Sequence, residues 1–124
     1  QYVNLSHNNI SKIKQHHFRY NKDLFTIDLS FNSIECIESN SFSQNTIISS
    51  LFLSNNRLKV FDQKNIFNLI DYLNRFIKLT LNNNQLELVK FELSAGLITS
   101  NLIDFTSNNL NESSISSQKF QYIN

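Results

Sequence analysis

The amino-acid sequence predicts a repeat solenoid of the α/β class, in which short strands stack side by side into one parallel sheet. One spacing of apolar residues around an asparagine recurs five times along the 124 residues. Within each copy the apolar residues first alternate and then stop alternating, as in LFTIDLSFNSIECI at 24–37. Self-similarity with a period of about 20–50 residues is typical of stacked repeats.

The repeated asparagines define five units within a single domain. They are spaced by 24, 24, 28 and 24 residues, and they are Asn8, Asn32, Asn56, Asn84 and Asn108. The units cover 1–23, 24–47, 48–75, 76–99 and 100–124. A short amide at the end of a strand can satisfy the backbone groups that the following turn leaves unpaired. We therefore predict that these asparagines are structural.

The alternating part of each unit predicts a strand. Alternate side chains of a strand point to opposite faces, so each unit has inward apolar residues and outward variable ones. One coil cannot bury its own apolar face, whereas stacked coils can, at about 1.5–3 kcal/mol for each large apolar side chain. The strands of successive units should then pair as a parallel sheet.

The longer third unit predicts a short helix on the outer side of its coil. Residues at helical spacing form an apolar stripe, with Asp62 or Asn65 as the candidate N-cap. The stripe consists of Ile66, Leu69, Ile70 and Leu73. In the fifth unit Ser113 occupies a position that is apolar elsewhere, residues 111–119 are predicted as a polar loop, and 120–123 as the start of another coil.

These units resemble the leucine-rich repeats, in particular their 24-residue class with a phenylalanine about ten residues after the asparagine, where Phe18 and Phe42 lie. The resemblance implies a right-handed horseshoe segment with the parallel sheet on its concave face and short helical or irregular segments on its convex face. Capping segments, often rich in cysteine, usually close such stacks. None is present here, and we expect the chain to be part of a longer array.

Composition argues against catalysis and electrostatic partners. The net charge is +1 without a run of like charge, which disfavours nucleic-acid binding and direct membrane contact. Cys36 is the single cysteine, and His16 and His17 have no further ligands at a fitting spacing, so no disulfide framework, metal site or cofactor is expected. Asp28 and Asp104 lie three strands apart, about 14 Å, which is too far for a glycosidase pair. We predict a non-enzyme.

Outward positions of the predicted sheet are candidates for protein binding. They form columns that vary from unit to unit, as expected for a surface that recognises a partner. Isolated exposed aromatic residues are ordinary, but Phe31 and Phe52 lie on neighbouring coils and could form a patch. The candidate ligand-binding residues are Tyr2, Asp28, Phe31, Phe52, Asn55, Lys78, Thr80 and Asp104.

Compartment and setting stay open at this point. Candidate N-glycosylation sequons occur at Asn4, Asn9 and Asn111, although a chain so rich in Asn and Ser contains some by chance. The family class resembles repeats of Toll-like receptors, Slit-type guidance proteins and matrix proteoglycans, which implies an extracellular or cell-surface receptor or secreted protein. The alternatives are an intracellular scaffold that docks a signalling partner and the regulatory arm of a larger enzyme.

Overall fold

The computed structural model describes residues 1–68, 78–90 and 102–116, which form a parallel-strand β-solenoid with almost no helix. Five strands of three residues each make up the main sheet, one from each repeated unit. They are β1 (Tyr2–Asn4), β3 (Thr26–Asp28), β5 (Ser50–Phe52), β7 (Lys78–Thr80) and β9 (Leu102–Asp104). They pair in the order β1-β3-β5-β7-β9, and every pairing is parallel.

The register of the main sheet is set by its inward residues. Ile27 lies opposite Leu51, which in turn lies opposite Leu79, and all three side chains are fully buried. A one-residue slip would move each of them to the solvent face, so burial fixes the register strongly. The outward residues consequently fall into the predicted columns, for example Thr26 opposite Ser50.

Short strands also pair on another side of the coils, where the sequence predicts irregular or helical segments. One pair consists of β2 (Lys12–Ile13) and β4 (Cys36–Ile37), and a three-stranded sheet consists of β6 (Val60–Asp62), β8 (Leu88–Lys90) and β10 (Ile115–Ser116). The prediction is wrong for these segments. Coils of nearly equal length bring extended stretches of neighbouring units into line, and their backbone groups then pair with each other.

A single short helix follows β6 among the described residues. Helix α1 (Gln63–Phe67) begins after Asp62, whose carboxylate accepts a hydrogen bond from the Asn65 backbone N–H at 3.1 Å. It ends at Asn68, which adopts the left-handed conformation with φ 56° and donates its N–H to the Lys64 carbonyl. Ile66 of the predicted stripe is buried on α1, and Leu69, Ile70 and Leu73 lie outside the described residues.

The fifth unit contains two residues more than the sequence predicts before its second strand. Ile115 pairs with Val89, so Ile115 and not Ser113 occupies the repeated position. The extra residues form a turn in which the Asn111 side-chain oxygen accepts from the Ser113 backbone N–H at 3.0 Å and from the hydroxyl of buried Ser114 at 3.0 Å. The predicted loop at 111–119 is therefore wrong at β10, and 120–123 lie outside the described residues.

A column of stacked phenylalanines extends the core beneath the connecting segments. The ring centroids of Phe18 and Phe42 are 5.5 Å apart, and those of Phe42 and Phe67 are 5.6 Å apart. All three side chains are buried. Phe67 continues the column into the longer third unit.

Candidate functional site

The chain leaves every main strand through the same left-handed turn. The residue three positions after each strand has φ between 54° and 57°, and these residues are His7, Phe31, Asn55, Asn83 and Ser107. These positions, which include the binding candidates Phe31 and Asn55, lie beyond the strand ends and not in the strands themselves. Asparagine tolerates this conformation well, whereas a bulky side chain such as Phe31 rarely adopts it.

The repeated asparagines connect each turn to the neighbouring coil. Asn56 donates to the carbonyls of Leu29 and Leu53 at 3.0 and 3.1 Å, and its side-chain oxygen accepts from the Ile34 backbone N–H at 2.9 Å. Asn32, Asn84 and Asn108 make the equivalent bonds to both coils. Asn8 is exposed, and among the described residues it donates to the Leu5 and Ser6 carbonyls of its own turn.

A second recurrent contact uses an acidic or amide side chain at the end of a main strand. The Asp28 Oδ1 atom accepts from the Ser30 backbone N–H at 3.0 Å and from the Ser30 hydroxyl at 2.6 Å. The same two bonds join Asn4 with Ser6 and Asp104 with Thr106. One carboxylate oxygen of Asp28 and of Asp104 is thus used within the fold. An Asp or Asn two residues before a Ser or Thr is the sequence signal for this turn.

Aromatic residues are exposed at one end of the main sheet. The Phe31 ring stacks on the His7 imidazole, with 4.4 Å between centroids and 7° between the ring planes. Phe31 is 49% exposed and Tyr2 is 62% exposed. The sequence predicts Phe31 and Tyr2 as ligand-binding residues but not His7. The stack of His7 on Phe31 depends on the two left-handed turns that bring these side chains together.

Phe52 has a different partner from Phe31. The Lys78 ammonium lies 5.4 Å from the Phe52 ring centroid, within the range of a cation–π interaction. Among the described residues no ring contact joins Phe52 to Phe31. The predicted aromatic patch therefore consists of two separate contacts, one between aromatic rings and one between a ring and a cation.

The remaining candidates lie around these two contacts. Thr80 pairs with Phe52 across the sheet, and its hydroxyl is buried without a hydrogen-bond partner among the described residues. Asn55 is half-buried in its left-handed turn, directly before the structural Asn56. Asp104 pairs with Thr80 on the next strand. The face thus combines aromatic, cationic and anionic groups over neighbouring strands.

The two adjacent histidines lie away from this face, in the segment that follows β2. The His17 Nδ1 atom accepts from the Lys14 backbone N–H at 3.2 Å. Partial burial, with smaller effects of His16 and Lys14, lowers the pKa of His17. Within the described parts of the chain, no group of three or more His, Cys, Asp or Glu side chains is placed to hold a metal ion.

Glu38 connects two coils on the same side of the molecule. Its Oε2 atom accepts from the Gln15 backbone N–H at 3.0 Å, and its Oε1 atom lies 3.0 Å from the Lys12 ammonium. The bond from Gln15 and then the contact with Lys12 lower the pKa of Glu38, while the same contact raises the pKa of Lys12. Both side chains are at the surface, so the pair contributes little to stability.

All three candidate glycosylation sites are exposed. Asn4, Asn9 and Asn111 are accessible to solvent. Asn4 lies on the outward face of β1, next to the exposed Tyr2, whereas Asn111 lies in the turn before β10. A glycan at Asn111 would leave the main-sheet face accessible, and one at Asn4 would cover its first strand.

No helix in the described parts of the chain has the length and apolar character needed to cross a membrane.

Comparison with known proteins agrees with the repeat pattern. A search of curated proteins finds no match. The family model of the leucine-rich repeat matches residues 1–69, more than half of the chain. This repeat is a module generally used for protein binding and typically not an enzyme. The chain belongs to the leucine-rich repeat family.

Proposed function

We propose that the outward face of the main sheet binds a protein ligand, and that the chain serves in an extracellular receptor or secreted protein. The observation that supports this most directly is the exposed stack of Phe31 on His7. Tyr2, at the start of β1, is also exposed. Apolar aromatic side chains held at a surface are the residues that most often dominate binding energy at protein interfaces. Phe31 and His7 lie in turns whose left-handed backbone recurs after every described main strand.

Rigid placement favours binding at this face. The outward side chains of Phe52 and Lys78 are attached to strands that are fixed by parallel pairing and by fully buried inward residues. A preordered surface loses less conformational entropy when a partner binds than a mobile loop does. The sheet therefore acts as a scaffold on which only the outward residues need to differ to recognise a ligand.

Polar groups on the same face give the ligand a preferred chemistry. Lys78 is held over Phe52, and Asp28 and Asp104 each retain one carboxylate oxygen for an external donor. We infer that Phe31 with Tyr2 anchors the partner, whereas Lys78 and the two carboxylates select it by charge. Charged groups at an interface contribute more to specificity than to affinity.

The test is a photocrosslinking experiment with a matched control. A photoreactive amino acid replaces Thr26 on the main-sheet face or, in the control protein, Lys59 outside that sheet. A ligand from the source organism should crosslink from position 26 and not from position 59. The combined change Phe31→Ala and Phe52→Ala should abolish this product, whereas Val60→Ala, which alters an exposed apolar residue elsewhere, should retain it. Equal labelling from both positions would argue against this face.

The extracellular setting is supported by the family class and by the three exposed sequons. The native protein should lose mass on treatment with an N-glycosidase, and Asn111→Gln should remove part of that loss. One observation favours the alternative of an intracellular scaffold, namely that Cys36 is an exposed free thiol, which reducing compartments tolerate. A native protein without glycans and with Cys36 reduced would support that alternative.

A further inference from the structure

Two cations between β2 and β3 lack the acidic partners that other cations of the chain have. Lys12 pairs with Glu38, and Lys90 pairs with Asp62. Arg57 likewise lies near a carboxylate, that of Glu35. Neither Arg19 nor Lys22 has a carboxylate at ion-pair distance in the described parts of the chain. Their positive charge is therefore available to an external anion.

These two cations line one cavity. The cavity has a volume of about 560 Å³ and lies between two successive coils. His16 adds an imidazole, and Ser43 and Gln44 of the following coil add a hydroxyl and an amide. The side chains that line it include no carboxylate. The cavity is thus rich in hydrogen-bond donors and positive charge.

The Arg19 guanidinium lies over the ring of its neighbour Tyr20. Its guanidinium carbon lies 5.1 Å from the centroid of the Tyr20 ring, and Tyr20 is 82% exposed. A guanidinium that rests on a ring by one face keeps its N–H groups free in the plane of the fork. That arrangement suits a ligand with two or more acceptor oxygens, which the fork can bind in a bidentate manner.

We propose that this cavity, formed by Arg19, Lys22 and their neighbours, is a second binding site that takes a phosphorylated side chain of a partner protein. A phosphate monoester has a charge of about −1.5 to −2 at neutral pH and three acceptor oxygens, which matches two unpaired cations and the additional donors. A carboxylate carries a single charge and fewer acceptor sites. This site lies apart from the main-sheet face and does not depend on the function proposed for that face.

The open shape of the cavity favours a phosphate carried by a protein. Its lining residues Gln15, His16, Arg19 and Gln44 are all exposed, whereas sites for small molecules usually enclose about 70–90% of the ligand surface. A protein segment would supply the missing contacts itself, and exposed Tyr20 offers an apolar surface next to the cavity for it. A nucleic acid would require a longer basic track than the net charge of +1 provides.

The experiment is a titration of the isotopically labelled full chain, followed by the backbone amide signals. The probes are inorganic phosphate, N-acetyl-phosphoserine amide, a nine-residue peptide with one central phosphoserine, and N-acetyl-aspartate amide. We expect the phosphate probes to shift signals of residues 15–22 and 43–44, and the phosphopeptide to bind most tightly. The aspartate probe should bind at least roughly tenfold more weakly, since hydrogen bonds between charged groups contribute that much or more to affinity.

Variants separate a bidentate site from a merely basic surface. Arg19→Gln should weaken phosphopeptide binding by about tenfold or more, and Arg19→Lys should restore only part of it because lysine lacks the planar fork. Lys59→Gln removes a charge elsewhere and should change nothing. The proposal is overturned if no phosphate probe shifts residues 15–22, or if Arg19→Lys binds as well as the unaltered chain. Equal affinity for inorganic phosphate and the phosphopeptide would overturn the protein-borne source.

Discussion

Replacement of Asn56 by leucine tests how the asparagine ladder holds the coils together. Asn56 is 7% exposed and makes four hydrogen bonds, two within its own turn and two to the preceding coil. Leucine has a similar size, so Asn56→Leu removes these bonds without leaving a large cavity. The loss of stability should then reflect the backbone groups that remain without partners.

The four bonds differ in what their loss leaves behind. The Ile34 backbone N–H donates to Asn56 Oδ1 and would be buried without an acceptor. The Leu29 carbonyl would still accept from Asn32 and the Leu53 carbonyl from Asn84. The Ser54 carbonyl, the third acceptor that Asn56 contacts, would keep its bond from a backbone N–H.

One orphaned donor costs about 1–3 kcal/mol, and each carbonyl that keeps a second partner loses about 0.5 kcal/mol or less, in keeping with the small net value of a replaced bond. The change should therefore destabilise the fold by about 2–4 kcal/mol. At about 4 °C for each kcal/mol in a domain of this size, the Tm should fall by roughly 10 °C.

Asn8 provides the matched control, because it is exposed and its side-chain bonds within the described part of the chain go to the Leu5 and Ser6 carbonyls of its own turn. Asn8→Leu should cost about 1 kcal/mol or less. Urea unfolding followed by circular dichroism measures both variants. If Asn56→Leu and Asn8→Leu lose stability equally, the bonds between coils contribute nothing beyond those within each turn, and the reasoning fails.

Two further changes test the turn and the histidine pair. Phe31→Asn should raise the free energy of unfolding by about 1 kcal/mol, because asparagine adopts the left-handed conformation more readily. Urea unfolding measures this change. A loss of stability would show that the stack on His7 outweighs the backbone strain. The pKa of His17 is lowered in the folded chain. The contribution of His17 to the free energy of unfolding is therefore complete above the unfolded pKa of about 6.5, and it is lost as the pH falls through the folded pKa. The stability difference between the unaltered chain and His17→Phe should shrink from pH 7.5 to pH 5, and a constant difference would contradict the lowered pKa of His17.

The sequence predicts the main sheet well because each inward residue carries independent information on register. Ile27, Leu51 and Leu79 recur at the same position of the repeat, and a shift by one residue would expose them all. The sequence did not predict the pairing of β2 with β4. This pairing depends on the alignment of the backbones of two neighbouring coils and not on any residue type. The sequence did not predict that Ile115 pairs with Val89 for another reason. Ser113 and Ser114 are chemically alike, so the residue types do not indicate that Ser113 is exposed and Ser114 is buried.

The candidate site was predicted only at the level of which residues point outward. The register of the strands places Phe52 and Lys78 on one face, and a sequence pattern can supply that. The stack of His7 on Phe31 requires positive φ values at both residues, which no apolar or polar pattern reveals. Contacts made in turns are therefore the part of this site that needed the structure.

The backbone at Phe31 adds an independent argument for binding at the main-sheet face. Five equivalent turn positions share a φ of 54–57°, so the left-handed conformation belongs to the fold and not to any one side chain. Asparagine or a small polar residue suits it, whereas phenylalanine adopts it at a cost of about 1–2 kcal/mol. The Phe31 side chain is half exposed and does not belong to the buried core, so packing in the core does not offset this cost. A bulky aromatic residue that breaks the local rule without a gain in the core is what a surface selected for contact with a partner contains.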